Sequence, residues 1–184
     1  MHNLFRLVWT VRALLYKAFF GRFSMPSYIG APTFLLKPKH IYVGKRVRIF
    51  PGLRAECHGQ GRIVLHDNIS IGQNFHIIAG AELNVRSGCL ISSNVFITDI
   101  DHTFDNPSIP VFDQPDKIRR TVIGENCFLG IGVRVQAGTT LGTGCVVGAN
   151  SVIRGNFPDY CMIVGTPGRV VKRYDFVTGK WQSC

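Results

Sequence analysis

A six-residue period between residues 123 and 153 restricts this chain more than any other feature of its sequence. Every sixth residue from Ile123 is aliphatic, in the order Leu129, Val135, Leu141, Val147 and Ile153. A helix would scatter these residues around its axis, because six residues advance it by roughly 600°. Short strands fit the period, since positions i−2 and i of a strand face the same side. The pattern therefore predicts a parallel β-helix solenoid with bends between its strands.

The repeat resembles that of the hexapeptide-repeat acyltransferases, whose fold is a left-handed parallel β-helix with three hexapeptides in each triangular coil. The resemblance covers residues 28–174. It implies an all-β chain in which each aliphatic residue stacks on the one 18 residues later: Ile123 on Leu141, Leu129 on Val147, and Val135 on Ile153. One coil cannot bury its own inner face, so this stacking would make the core.

The phase of the repeat divides the chain into parts. Repeats begin near Ile41, shift by four residues at 57–62, slip by two after Leu83, and stop at a loop rich in proline and aspartate. A coil cannot absorb such a segment in its core, so we expect an extruded loop. We predict an N-terminal helix and linker at 1–27, a solenoid domain at 28–174 with its loop at 99–120 and a closing segment at 156–174, and a tail at 175–184.

Length, charge and cysteine content restrict the possible functions of the chain. The chain has 184 residues, enough for one domain with a core, and a formal net charge of +10. On charge alone, nucleic acid, an anionic membrane and a phosphorylated ligand are all possible partners. The chain carries no nucleic-acid-binding motif, so a phosphate-bearing cofactor and a membrane-proximal substrate account better for the charge. The six cysteines lack metal-ligand spacing. Cys127 and Cys145 are separated by one coil, which would permit a disulfide, but we favour free thiols in a reducing compartment.

Residues 1–23 are predicted to form a helix that is apolar except for a narrow polar face. Such a helix must bury most of its surface. The favoured interpretation is packing against its own solenoid or a neighbouring subunit. The alternative is peripheral attachment to the cytoplasmic face of the membrane, with Trp9 in lipid and the arginines at headgroups. A secretory signal is disfavoured, because Arg12 interrupts the apolar run and no small-residue cleavage site follows.

His102 begins the extruded loop directly after a regular coil. In the sugar O-acetyltransferases of this superfamily the catalytic histidine has the same position, and the order ISSNVFITDIDHTF, loop, TVIGENCFLG resembles theirs. The loop most resembles that of the surface-polysaccharide members. The resemblance implies that His102 removes the proton from a sugar hydroxyl. Asp99 or Asp101 would accept the second imidazole N–H, the alternative being that both are solvated turn residues.

Two further residues are candidates for sugar binding. Asn94 lies on the bend before the loop, and His76 aligns roughly with an aromatic acceptor-site residue of the sugar acetyltransferases. A surface-facing repeat residue is the alternative for His76. The gamma-type carbonic anhydrases share this solenoid and hold zinc with three histidines. Here His66, His76 and His102 are widely spaced, so we expect no metal site.

The cofactor implied by the resemblance is acetyl-CoA, which in the family lies in a groove between two neighbouring solenoids of a homotrimer. Small residues after the aliphatic positions would let a ligand approach the backbone, and the segment IVGTPGRVVK matches the closing motif of the family. The family often has tryptophan at Phe128, a small polar residue at Ile131, and Thr-Lys at 154–155. The implied contact positions are Phe128, Gly130, Gly148, Ala149, Arg169 and Lys172.

The function implied is transfer of an acetyl group from acetyl-CoA to a sugar hydroxyl in surface-polysaccharide biosynthesis, in the cytoplasm or at the inner face of the cell membrane. Active sites would lie between the subunits of a homotrimer. One alternative is N-acylation of a nucleotide-linked amino sugar, or acetylation of a small molecule such as an antibiotic or serine. A second alternative is a non-catalytic scaffold that binds no CoA.

Overall fold

The computed structural model describes residues 2–184, with side chains from residue 5 onward. It consists of one helix, α1 (His2–Tyr16), followed by a parallel β-helix with three faces. The predicted fold class, a left-handed β-helix with an N-terminal helix and one extruded loop, is confirmed.

Each coil contributes one short strand to each of three faces. Face A comprises Arg22–Phe23, Ile41–Val43, Arg62–Leu65, Glu82–Val85, Val122–Ile123, Thr140–Leu141 and Asn156–Phe157. Face B comprises Tyr28–Ile29, Arg48–Ile49, Ser70–Ile71, Leu90–Ile91, Phe128–Leu129, Val146–Val147 and Cys161–Gly165. Face C comprises Phe34–Leu36, Arg54–Cys57, His76–Ala79, Phe96–Thr98, Arg134–Val135 and Val152–Ile153.

The remaining elements lie outside the regular coils. Gly168–Asp175 and Lys180–Ser183 extend face B as antiparallel strands, so the predicted tail at 175–184 forms part of the sheet. Ile100–Asp101 and Lys117–Ile118 pair within the extruded loop. Two 3-10 turns occupy Pro38–His40 and Val111–Asp113.

The predicted stacking of aliphatic residues is confirmed. Ile123 pairs with Leu141, Leu129 with Val147, and Val135 with Ile153, and all six are buried. The earlier coils are longer. Val43 pairs with Leu65, and Leu65 pairs with Val85, so these coils exceed 18 residues by four and by two. Both shifts in the sequence repeat are therefore extra residues inserted between strands while the inward positions stay aligned.

The start of the solenoid differs from the prediction. Strands appear before Ile41, because Phe23 pairs with Val43 and Ile29 pairs with Ile49. The helix α1 correspondingly ends at Tyr16 and not near residue 23. The sequence signal was too short to show this coil, since only Phe23 and Ile29 among its strand residues are fully buried.

One stripe of α1 packs against the first coil, as the favoured interpretation predicts. Ala13 is fully buried and Phe20, in the turn after the helix, joins the same core. Trp9 contacts Tyr28 and Phe50, with ring centroids 5.8 and 5.4 Å away. In residues 2–184 no helix has the length and apolar character needed to cross a membrane.

Glycines at the corners of the solenoid permit the coils to stack. A Cβ atom on Gly130 would lie 2.7 Å from the backbone nitrogen of Ala149, and one on Gly142 would lie 2.6 Å from that of Asp159. Both distances are far below van der Waals contact. Stacking alone therefore accounts for these glycines, without the approach of a ligand.

Four buried cysteines form a column inside face B. Cys89, Cys127, Cys145 and Cys161 each occupy corresponding positions of neighbouring coils, as the strand register requires. All are free thiols. Cys127 and Cys145 are thus vertical neighbours without a disulfide between them, and they fill the core as small apolar residues.

We predict that the stacked aliphatic residues dominate stability. Leu141→Ala should lower the free energy of unfolding by about 2–5 kcal/mol, because it removes buried methyl groups and leaves a cavity. Thr140→Ala, on the exposed side of the same strand, should change it by about 0.5 kcal/mol or less. Urea unfolding at one fixed protein concentration measures both. Equal losses in the two variants would contradict the assigned core.

Candidate active site

The extruded loop leaves and re-enters the solenoid at one place. Asp99 follows the face C strand Phe96–Thr98 and is completely buried, and its carboxylate accepts hydrogen bonds from the backbone N–H groups of Gly80 (2.6 Å) and Ala81 (3.0 Å). At the other end of the loop, the hydroxyl of Thr121 donates to the carbonyl oxygen of Thr98 at 2.9 Å. Both ends of the loop are therefore fixed to the rigid coils.

His102 lies just beyond this base with its imidazole largely in solvent, 71% exposed. Its Nδ1–H donates to Oδ1 of Asp116 at 2.7 Å. Asp116 lies in the returning arm of the loop, which the antiparallel pair of Asp101 with Lys117 holds alongside His102. With Nδ1 protonated, Nε2 carries the lone pair and can accept a proton.

The two aspartates predicted to orient His102 have other partners. Asp99 binds the backbone at 80–81, and Asp101 forms ion pairs with Arg154 and with Arg119, whose Nε lies 3.4 Å away. The contact with His102 is made by Asp116 instead. Its position within a loop of no regular period gave the sequence no signal for this role. Asp99 and Asp101 support the base of the loop in the structure.

A cavity of about 450 Å³ opens beside His102, between the loop and face C. Its walls combine apolar side chains with polar groups that can bind hydroxyls, a composition typical of small-molecule sites. The lining residues are His58, Ile78, Phe96, Thr98, Ile100, Asp101, His102, Asp116 and Gln136.

His76 and Asn94 border a second, smaller depression of about 270 Å³ on the other side of Phe96. The ring of His76 packs against Phe96 with centroids 5.0 Å apart, and Phe96 lines both cavities. Asn94 stabilises the bend on which it lies, where its backbone is left-handed at φ 60°. Its side-chain oxygen accepts a hydrogen bond from the side-chain amide of Asn74, and the guanidinium of Arg134 donates to its backbone carbonyl oxygen. Neither predicted sugar-binding residue lines the His102 cavity.

His58 is a residue in the His102 cavity that the sequence analysis missed. Its Nε2 lies 3.5 Å from Glu56, whose carboxylate also accepts from Arg54 at 2.6 Å and from His76 at 3.0 Å. Burial alone would raise the pKa of Glu56, but the hydrogen bonds from Arg54 and His76 outweigh it and hold that pKa below its ordinary value. In the sequence, only the four-residue shift of the repeat at 57–62 indicated that the chain around His58 departs from a regular coil.

The residues predicted to bind the cofactor follow face B and its hairpin. Phe128 is partly exposed on face B, and Gly130 and Gly148 directly follow two successive strands of that face. Arg169 and Lys172 lie on the antiparallel strand at its end. His102, by contrast, emerges between face C and face A. One chain therefore presents the candidate base and the predicted cofactor positions at different edges.

Among the described residues no group of three His, Cys, Asp or Glu side chains is arranged to hold a metal ion.

Comparison with known proteins decides the family. The family model "Bacterial transferase hexapeptide (six repeats)" matches residues 120–155. The Escherichia coli (strain K12) protein "Putative lipopolysaccharide biosynthesis O-acetyl transferase WbbJ" is 34% identical over 158 residues, covering 82% of this chain and 81% of WbbJ. This chain belongs to the hexapeptide-repeat acyltransferases. The resemblance seen in its sequence is thereby confirmed.

Solved structures share the fold of this acyltransferase. AntD, an N-acyltransferase from Bacillus cereus in complex with dTDP and 3-hydroxybutyryl-CoA, has a TM-score of 0.73 at 19% identity, covering 91% of this chain and 90% of AntD. A maltose O-acetyltransferase from Clostridium difficile 630 has a TM-score of 0.63 at 17% identity, covering 94% and 84% of the two chains. At these identities the likeness concerns the fold.

We predict that Asp116 sets the tautomer of His102 in the acyltransferase. At alkaline pH the ¹⁵N spectrum of His102, assigned with His102→Gln, should show Nδ1 protonated and Nε2 unprotonated. Asp116→Ala should shift the imidazole toward the Nε2–H form, because the acceptor for Nδ1–H is lost. Asp113→Ala removes another exposed loop carboxylate and should leave the spectrum unchanged. An unchanged spectrum in Asp116→Ala would refute the assignment.

Proposed function

We propose that this acyltransferase transfers an acetyl group from acetyl-CoA to a sugar hydroxyl, with His102 as general base. The observation that carries the proposal is the His102–Asp116 pair at the mouth of a cavity large enough for a sugar residue. A base on a rigid scaffold beside a substrate-sized cavity is the arrangement that proton abstraction from an alcohol requires.

The reaction balances with His102 as the only proton carrier. Nε2 accepts the proton of the sugar hydroxyl while the oxygen attacks the thioester carbonyl, and a backbone N–H stabilises the oxyanion of the tetrahedral intermediate. The C–S bond then breaks and Nε2 returns the proton to the CoA thiolate. Asp116, by accepting from Nδ1–H, favours the imidazolium that exists between these two steps.

No acyl-enzyme is needed in this scheme. Five of the six cysteines are buried, and the exposed Cys184 follows the hairpin strand Lys180–Ser183 and does not line the His102 cavity. Direct attack by the acceptor also fits a cavity that opens at the side of His102.

The acetyl-CoA site is proposed at face B and its hairpin, through Phe128, Gly130, Gly148 and Ala149, with Arg169 and Lys172 near the phosphates. Two cations on one strand suit a ligand with several phosphate groups. Since these positions and His102 lie at different edges of one chain, a complete site would combine His102 of one subunit with the cofactor residues of another. A homotrimer with three such interfaces meets that requirement.

The acceptor is proposed to be a precursor of a surface polysaccharide, because the chain aligns over most of its length with WbbJ, named for lipopolysaccharide biosynthesis. His58, Thr98 and Gln136 supply polar groups in the cavity for sugar hydroxyls. His76 and Asn94 are proposed to contact an acceptor that extends past Phe96 into the second depression. A cytoplasmic location, where acetyl-CoA is made, follows from this proposal.

N-acylation of an amino sugar is the second candidate, and the product distinguishes it. Screening acetyl transfer from labelled acetyl-CoA onto polyprenyl-diphosphate sugars, nucleotide sugars and free oligosaccharides would identify the acceptor. An alkali-labile ester would support the proposal, whereas an alkali-stable amide would replace it with N-acylation.

We predict that His102→Gln lowers kcat at least about 100-fold on the acceptor so identified, because the general base is lost. His66→Gln changes the histidine directly after the face A strand Arg62–Leu65, which contacts Asn84, and it should retain wild-type turnover. Circular dichroism would verify that both variants are folded. Turnover of His102→Gln within a few-fold of wild type would exclude His102 as the base.

We further predict that acetyl-CoA stabilises the protein against thermal unfolding, by about 2.7 kcal/mol at 100 times its dissociation constant. Changing Arg169 and Lys172 together to Gln should reduce this effect and should matter less for acetyl-pantetheine, which lacks the nucleotide phosphates. The matched control is Arg120→Gln with Lys180→Gln, both exposed. If acetyl-CoA at millimolar concentration gave no shift, the scaffold alternative would be favoured.

A further inference from the structure

The helix α1 has a second apolar side that the solenoid does not cover. Its inner side packs on the first coil through Trp9 and Ala13. The opposite side carries five aliphatic residues, each 48–64% exposed, which we call the outer stripe: Leu7, Val8, Val11, Leu14 and Leu15.

The outer stripe is continuous. At 3.6 residues per turn, its five side chains span roughly 120° of the helix circumference. No charged residue falls within that arc, and Phe19 in the following turn is also exposed. Contiguous apolar surface of this kind marks a contact with another molecule or with a membrane.

The N-terminal part of the chain, which includes α1, carries all of the net charge. Residues 1–55 contain ten Lys and Arg residues and no Asp or Glu, whereas residues 56–184 contain eleven basic and eleven acidic residues. The formal charge of +10 therefore belongs to α1 and the first coils, and the rest of the chain is neutral.

Cations lie on one flank of the outer stripe, on the side of the helix that carries Thr10. On this flank Arg6 of the helix and Lys17, directly after its last residue, are exposed. Next to Thr10, a cavity of about 260 Å³ between α1 and the first coil is lined by Arg46 and Arg48. Guanidinium groups beside an apolar surface match a lipid headgroup, because they bind phosphate oxygens through paired hydrogen bonds.

We infer that the outer stripe docks onto an anionic lipid surface, with α1 lying in the plane of the interface and Arg46 and Arg48 contacting lipid phosphates. The inner side of α1 is fixed to the solenoid, so the outer stripe is the part that can enter the acyl boundary. A second copy of this chain fits the surface less well, since it would bring together two regions that are basic and lack any acidic residue.

The inference goes beyond the proposed reaction, and binding to lipid can be measured without acetyl-CoA or acceptor. If both hold, docking would bring the active site to an acceptor that is itself anchored in the membrane. Failure of lipid binding would leave the acetyl-CoA stabilisation of the protein unchanged, so the two proposals can fail separately.

The test is flotation of the full-length protein with vesicles of phosphatidylcholine containing about 30% phosphatidylglycerol, compared with pure phosphatidylcholine. We expect binding to the anionic vesicles that weakens at high salt, because the electrostatic part is screened. Val11→Asp with Leu15→Asp should lower the apparent affinity at least about tenfold. The matched control places the same charges at Phe176 and Val177, exposed apolar residues of the C-terminal hairpin, and should bind as wild type.

The charge is tested separately. Arg46→Gln with Arg48→Gln should weaken vesicle binding by about fivefold per charge, whereas Arg120→Gln with Lys180→Gln removes two exposed cations of the neutral part and should have a smaller effect. Circular dichroism would establish that all variants are folded.

Two results would overturn the inference. The first is wild-type protein that does not float with anionic vesicles, or Val11→Asp with Leu15→Asp that floats equally well. The second is a change of oligomeric state in that variant, measured by analytical ultracentrifugation, without a change in lipid binding. The second result would assign the outer stripe to a neighbouring subunit.

Discussion

Every part of this structure depends on the vertical contact between coils. A coil of short strands has no interior of its own, so its inward aliphatic residues are buried only when the next coil covers them. The parallel backbone hydrogen bonds between coils, such as those that align Ile123 with Leu141, fix this contact at the spacing of a sheet. The corner glycines belong to the same constraint, because a side chain at Gly130 would collide with the backbone one coil above.

This rigidity explains where the candidate site lies. A catalytic base must be held in place, yet its surroundings must admit a substrate. His102 meets both conditions. It follows the buried Asp99 by three residues, and its imidazole is hydrogen-bonded to Asp116 on the returning arm of the loop. The cavity beside it has one wall from face C, whose strands cannot shift independently, and one wall from the loop.

The fold could be predicted from the sequence wherever the inward positions recur at a regular interval. The stacking partners of Ile123, Leu129 and Val135 followed from counting 18 residues along the chain, because three hexapeptides make one coil in the confirmed family. The first coil was missed because too few of its residues are buried to establish a period. Asp116 and His58 were missed for a different reason. Each reaches the site from a segment with no repeat, where the path of the backbone is set by tertiary contacts that a linear sequence does not display.

The hydrogen bond between Thr121 and the carbonyl of Thr98 closes the coil beneath the loop. Residues 104–113 of the loop are exposed and pair with no strand of the coils, so they contribute little to the alignment of the strands above and below them. Changes at residues 104–113 should therefore cost less stability than a change within a coil, whereas Asp99, His102 and Asp116 of the same loop hold its base and the candidate site. The solenoid thus separates two tasks: the stacked coils carry the stability, and the exposed part of the loop can change shape without disturbing them.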